Sequence, residues 1–258
     1  MRNSDSRTII QRNIFLFKAL VLFKVTAYIL RQYLFLPLGR STHFKFFADI
    51  YARQFGDKKI RLSPQIPYIQ PEKLFPGIGS ILIKTIGEFS GELASLVSAY
   101  ELQVLCAMVR MTAPTKILEI GTYRGWTTSN LALNSPPNCK IMTLDIAPLN
   151  PNNAEIEDIF AKYSIQFIQA DSARFDFSPF FGEIDFIFID GSHAAADIEN
   201  DTEAALKMIS PKGMIVWHDH NLKFPGIVNC LHRLSTQIEI WHIPGTALAV
   251  HCQNECRR

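Results

Sequence analysis

Several short stretches of this sequence place proton- and cation-binding groups at the ends of apolar runs. Asp190 closes the run IDFIFID. A carboxylate at the tip of a buried strand reaches solvent only at the sheet's C-terminal edge, where ligands bind in open α/β sheets. Asp219 closes the next apolar run, in MIVWHDHN, between His218 and His220. If the two strands are neighbours, both acids converge on one point, and two close carboxylates repel unless a proton or a cation lies between them. A hard divalent ion such as Mg²⁺ suits the oxygens, whereas a ligand from His218 or His220 shifts the preference toward a borderline transition metal. The plainer alternative is a pair of charge-balanced loop acids beside core histidines. His193 follows Asp190 by three residues, in DGSHAAAD. Imidazole exchanges a proton near neutral pH, so it can serve as a base toward a hydroxyl held beside it. Its bland reading is a histidine at a helix start. Asp145 ends IMTLD, 24 residues after Gly121. At such a spacing an acid meets ribose hydroxyls, and one carboxylate accepts from both. Asp171 and Ser172 follow FIQA, where either also reads as a helix N-cap.

These groups need a scaffold, and its centre is KILEIGTYRGWTTSN, residues 116–130. A continuous apolar run marks a buried parallel strand. It ends at Gly121, and a helix-compatible run starts near Trp126. Gly121 supplies a permissive backbone, and Gly125 is expected to bring the helix start close to a ligand. The turn is no dinucleotide fingerprint, because Tyr123 occupies the position where a pyrophosphate needs glycine. No Gly-Lys-Ser/Thr follows, so it is no P-loop. A nucleoside without phosphates remains. Glu119 at the strand end can face an ammonium, and the helix start with Thr127 and Thr128 can face a carboxylate. S-adenosylmethionine carries both groups.

The stretch LEIGTYRGWTT resembles the first motif of class I methyltransferases, and within them the catechol-type and macrolide-sugar O-methyltransferases that share Gly-x-Tyr-x-Gly-aromatic-Ser/Thr. The resemblance runs to about residue 250 and leaves out residues 1–90. It implies a Rossmann-like α/β fold: a mostly parallel seven-stranded sheet, helices on both faces and an antiparallel C-terminal hairpin. It implies that Asp171 faces the adenine edge and that Asp190 and Asp219 hold the metal. It also places a base at His193, where catechol-type members have Lys and sugar-modifying members His. After the second acid the catechol-type family has Asn, and the sugar-modifying branch has Glu before it. Here His220 and His218 stand there, with Asn221 one further on, so the third ligand is open. The reaction implied is O-methylation of a hydroxyl on a sugar or other natural product. Metal-independent methylation of an amine or carboxylate is one alternative, and a non-catalytic S-adenosylmethionine-binding subunit docked by its N-terminal arm is another.

Strands are expected near 116–120, 140–145, 165–169, 184–190 and 213–218. Helices are expected near 92–111, 126–133, 154–162, 195–209 and 226–234. This alternation predicts a parallel sheet covered on both faces. Ile238–Ile243, the Pro244-Gly245 turn and Ala247–Cys252 read as the closing hairpin. Asp197 and Asp201, one helical turn apart, are expected to face solvent. The net charge of +2 speaks against a nucleic-acid partner. It hides an asymmetry, because residues 1–61 hold twelve Lys/Arg against three acids, leaving an acidic remainder. Within this basic extension, residues 9–36 are strongly apolar but broken by Lys18, Lys24 and Arg31. A membrane span needs about twenty apolar residues, so the stretch reads as a packing or dimerisation helix, or as a peripheral membrane contact. Residues 62–91, rich in Pro and Gly, read as a connector or lid, and residues 92–258 as the methyltransferase domain. Five scattered Cys without a CxxC pair suit a reduced, cytoplasmic protein.

Overall fold

The computed structural model describes residues 66–86, 97–151, 153–221 and 223–253. The basic extension, the outer parts of the connector and the stretch 92–96 lie outside the described residues. All described residues belong to one compact unit.

Seven strands form one sheet: β1 (Lys116–Ile120), β2 (Lys140–Asp145), β3 (Gln166–Gln169), β4 (Ile184–Ile189), β5 (Ile209–Trp217), β6 (Trp241–His242) and β7 (Ala249–Cys252). Their order is β3-β2-β1-β4-β5-β7-β6. The first five are parallel, and β7 runs antiparallel to both β5 and β6. The chain reverses its direction of winding between β1 and β4, which opens a crevice beyond their C-terminal ends.

Side-chain alternation explains the two layers. Ile117, Phe186, Phe188, Val216 and Val250 point to one face and pack with the helix α2 (Ala99–Thr112). Leu118, Ile120, Ile187, Ile189, Ile215 and Trp217 point to the other, toward α5 (Ala195–Met208) and α6 (Pro225–Leu234). Each such side chain, once fully buried, contributes about 1.5–3 kcal/mol. The remaining helices are α1 (Pro71–Leu74), α3 (Trp126–Asn134) and α4 (Ala154–Lys162).

Three boundaries differ from the sequence reading by more than two residues. Helix α2 starts at Ala99, not 92, because Ser98 and Glu101 form a reciprocal capping box that stops it. Strand β5 starts at Ile209 rather than 213 and carries a register irregularity opposite Ile184–Phe186. Strand β6 has two residues rather than six. Instead, His242 pairs its backbone with the connector, donating to Pro67 O and accepting from Ile69 N, both at 3.0 Å.

The connector's extended residues 81–86 lie along α3. Asn134 accepts from Lys84 N at 2.9 Å and donates back to Lys84 O at 2.6 Å. Asn130 accepts from Ile86 N at 2.9 Å, and the Trp126 indole donates to Ile86 O at 3.1 Å. Two buried asparagines thus satisfy backbone groups of a segment that joins no sheet. No residue of 66–86 lines the cavity described next. Among the described residues, no helix is long and apolar enough to cross a membrane.

Candidate active site

A cavity of about 570 Å³ opens at the C-terminal ends of β1, β2, β4 and β5, within the size range of small-molecule sites. Gly121, Tyr123, Thr127, Asp145, Asp171, Ser172, Asp190, His193, His218 and Asp219 all line it. Glu119, Gly125, Thr128 and His220 do not.

The turn after β1 is held tightly. Gly121 has φ +104°, and a Cβ there would lie 2.1 Å from Asp190 O, so the ends of β1 and β4 approach only because the side chain is missing. Tyr123, itself at φ 49°, donates its backbone N–H to Asp145 Oδ2 at 2.7 Å. Asp145 Oδ1 accepts from Ala147 N at 2.9 Å. A carboxylate has about four acceptor positions, so lone pairs remain for a ligand's hydroxyls.

Three of the expected contacts, Glu119, Thr128 and Gly125, are corrected. Glu119 is fully buried, because it shares the face of Ile117 and lies under α3 rather than at the strand tip. Its Oε2 accepts from Thr128 and, at 2.6 Å, from Thr143, whose own hydroxyl pairs with that of Thr122 at 2.6 Å. Burial pushes the Glu119 carboxyl up to about 8, and the two threonines only partly oppose this. Glu119 and Thr128 therefore support the turn from below. Gly125 serves helix packing: a Cβ at its φ of +77° would meet the Phe160 ring of α4 at 2.7 Å.

Asp171 forms a turn rather than a helix cap, accepting from Ala173 N at 3.0 Å. Asp201, expected at the surface, is 1% exposed on the inner side of α5 beneath Gly191. Burial raises its carboxyl to about 6.

At the other end of the cavity, adjacent strands bring two acids together. Asp190, His218 and Asp219 each offer a ligand atom, all within 4.8 Å of one another. His218 Nδ1 lies 2.8 Å from Asp190 Oδ1 and 3.7 Å from Asp219 Oδ2. Its Nε2 lies 3.6 Å from Oε2 of Glu101, a residue missed from sequence because its helix-capping role gives no hint of the site. Burial disfavours the imidazolium, but Asp190 and Glu101 outweigh it and raise the His218 pKa well above the ordinary 6.5. Asp219 sits in left-handed backbone, φ 57°, a conformation uncommon outside glycine that is enriched at functional sites. His193 Nε2 is 2.6 Å from Asp219 Oδ2, and its ring stacks on Phe224 at 4.1 Å. Asn221 Nδ2 reaches Asp219 Oδ1 at 3.4 Å.

His220, expected as a candidate ligand, points away from this cluster. Its Nδ1 is 3.0 Å from His242 Nδ1 under the hairpin. Burial lowers its pKa to about 4, and burial together with His220 lowers that of His242 to about 3. Strand alternation would put His218 and His220 on one side, but the left-handed turn at Asp219 between them breaks it and sends only the first into the cavity.

Two carboxylates and an imidazole with donors this close fit a divalent cation, and the nitrogen favours a borderline metal over Mg²⁺. At the opposite end, the turn amides, the Asp145 carboxylate and the start of α3 fit a nucleoside with a charged amino-acid tail.

Residues 118–220 match the family model of a methyltransferase domain. No curated protein matches the chain by sequence. Three of the solved structures that match its fold illustrate the likeness. The O-methyltransferase TomG from Streptomyces achromogenes, involved in tomaymycin synthesis and solved with S-adenosylmethionine, has a TM-score of 0.51 at 16% identity, over 72% of this chain and 100% of its own. The S-adenosylhomocysteine-bound methyltransferase PaMTH1 from Podospora anserina has 0.51 at 15% identity, over 84% and 97%. Cofactor-bound Rv0187 from MTB has 0.50 at 16%, over 81% and 96%. Residues 118–220 are thus a methyltransferase domain, and the seven-stranded sheet around the cavity is that of the class I methyltransferase fold.

Proposed function

We propose that this protein is an S-adenosylmethionine-dependent O-methyltransferase acting on a hydroxyl of a sugar or other natural product, with a divalent cation at Asp190, His218 and Asp219. The observation that carries the proposal is the meeting of that triad with His193 at one end of the cavity whose other end is the methyltransferase motif turn. TomG, an O-methyltransferase of tomaymycin synthesis solved with S-adenosylmethionine, supports the cofactor and the acceptor class.

When bound, S-adenosylmethionine supplies an electrophilic methyl group, and the cation lowers the pKa of the acceptor hydroxyl. The chain supplies the rest. Asp145 accepts from the ribose hydroxyls, while Gly121, Tyr123 and Thr127 shape the turn around the amino-acid tail. Asp171 and Ser172 close the adenine side. His193 Nε2 donates to Asp219 Oδ2 at 2.6 Å, so Nδ1 is the ring nitrogen that takes the proton of the acceptor hydroxyl, while Asp219 holds the imidazole in place and stabilises the imidazolium formed.

A second reading has one observation in its favour. The protonated His218 already lies between Asp190 and Glu101 and offsets their charge without a metal. Methylation of an amine or carboxylate without a cation would use the same cofactor site.

Calorimetric titration with S-adenosylhomocysteine, with and without Mn²⁺, tests both. Binding to the intact protein is expected. Asp145→Ala is expected to weaken it roughly 10–100-fold, the worth of hydrogen bonds to one carboxylate. Asp190→Ala is expected to abolish Mn²⁺ binding and to spare S-adenosylhomocysteine. Absence of binding to the intact protein ends the methyltransferase proposal, and activity that persists in EDTA selects the second reading.

A further inference from the structure

One carboxylate grips the site from behind. Glu101 stands in the first turn of α2, is 7% exposed and does not line the cavity. Its Oε1 accepts from Ala247 N at 2.6 Å, and its Oε2 accepts from Ser98 N at 2.8 Å. Two backbone amides from separate elements, the start of α2 and the turn before β7, therefore fix this carboxylate in space. Its Oε2 also faces Nε2 of His218 at 3.6 Å. On the opposite edge of the same ring, Nδ1 faces Asp190 and Asp219.

Backbone amides can only donate, so both Glu101 oxygens act as acceptors, and the imidazole edge turned to them carries its hydrogen on Nε2. Nδ1 faces Asp190 Oδ1 at 2.8 Å, so without a metal it too carries a hydrogen, and that hydrogen is the one a cation at the cluster would displace. We propose that Glu101 is a positioning residue that fixes the ring orientation of His218, with Nε2–H turned toward α2, and so presents Nδ1 to the Asp190–Asp219 cluster. Its consequence for metal binding rests on the cation reading above, whereas the positioning itself does not. A carboxylate behind a metal-binding histidine commonly tunes metal affinity about 10–100-fold. It also ties the hairpin and α2 to the chemistry, because Ala247 and Ser98 set where the carboxylate lies.

The full-length Glu101→Gln variant tests this. Gln keeps one acceptor oxygen but sets an amide donor against the second backbone N–H, so a lower melting temperature is expected while S-adenosylhomocysteine affinity holds. Two readouts go beyond folding. In the metal-free protein, ¹⁵N-histidine NMR is expected to show a protected Nε2–H resonance for His218, assigned by its disappearance in His218→Asn. That resonance should shift or lose protection in Glu101→Gln. Glu101→Asp, which withdraws the carboxylate by one methylene, should do the same and serves if the first variant does not fold. With Mn²⁺ as probe, pulsed EPR of the wild type should show coupling to a histidine nitrogen. Glu101→Gln should weaken Mn²⁺ binding about 10–100-fold and lose that coupling. An unchanged Nε2–H resonance in both variants, or equal Mn²⁺ affinity and nitrogen coupling, overturns the proposal. If the wild type binds no Mn²⁺, the cation reading falls and the NMR result alone decides the role of Glu101.

Discussion

His193 is fixed from two sides: Asp219 Oδ2 at 2.6 Å holds its Nε2, and Phe224 stacks on its ring with planes 15° apart. In the proposed O-methylation, a base held in one orientation would need no search when an acceptor hydroxyl arrives. His193→Ala is expected to lower kcat by about 10²–10⁴-fold and to leave S-adenosylhomocysteine affinity unchanged. Single-turnover methyl transfer with calorimetry on the same variant checks both halves. The residue types of this site were legible in the sequence because Asp190, His193 and Asp219 sit at strand ends, where exposure follows from position. Which histidine of the His218–His220 pair faces the acids was not legible. It depends on the left-handed backbone of Asp219, which a non-glycine residue does not announce.

Among the elements, α3 has two tasks. Its first turn shapes the cavity, and Asn130 and Asn134 farther along hold the connector at Ile86 and Lys84. The two buried amides compensate backbone groups that would otherwise lose water without gaining a partner. Asn134→Ala is expected to cost about 1–3 kcal/mol. Hydrogen exchange should speed up at the Lys84 amide while the β1 and β4 amides keep their protection. The apolar runs of β1, β2 and β4 and the span of α4 read directly from sequence, because burial on both faces demands such runs. The short β6 did not read so clearly: its apolar stretch fits a longer strand, and the pairing of His242 with Pro67 and Ile69 comes from a segment more than 170 residues earlier.

Across the whole molecule, buried titratable groups set how stability depends on pH. Glu119 has an ordinary value of 4.5 and a folded value of about 8. Between these the folded protein keeps a proton that the unfolded chain has lost, so stability falls as pH rises through this window. Asp201, raised from 3.8 to about 6, acts in the same direction. His218, raised above 6.5, adds stability at lower pH that is lost as pH climbs past its folded pKa. Glu101 acts oppositely: lowered from 4.5 to about 2, it contributes above 4.5 and loses its contribution as pH falls toward 2. Below 6.5 the buried, neutral His220 and His242 act in the opposite direction, so melting temperatures are expected to fall from pH 6.5 to pH 8.5. Glu119→Gln, which stays neutral beside Thr128 and Thr143, should reduce that fall by more than about 1 kcal/mol. Equal pH slopes for the two proteins by calorimetric melting would contradict the buried-proton account.

The sequence alone determined the alternation of strands and helices, the motif turn without room for a pyrophosphate, and the acids at the tips of β2, β4 and β5. Each follows from local rules of burial, backbone freedom and strand termination. Tertiary structure decided what those rules do not reach. Glu119 lies beneath the sheet edge instead of at it, because alternation along β1 turns it under α3. Gly125 makes room for Phe160 of a later helix, not for a ligand. Glu101 meets His218 across 117 positions of chain, since the packing of α2 against the end of β5 is fixed by shape and burial rather than by any local pattern.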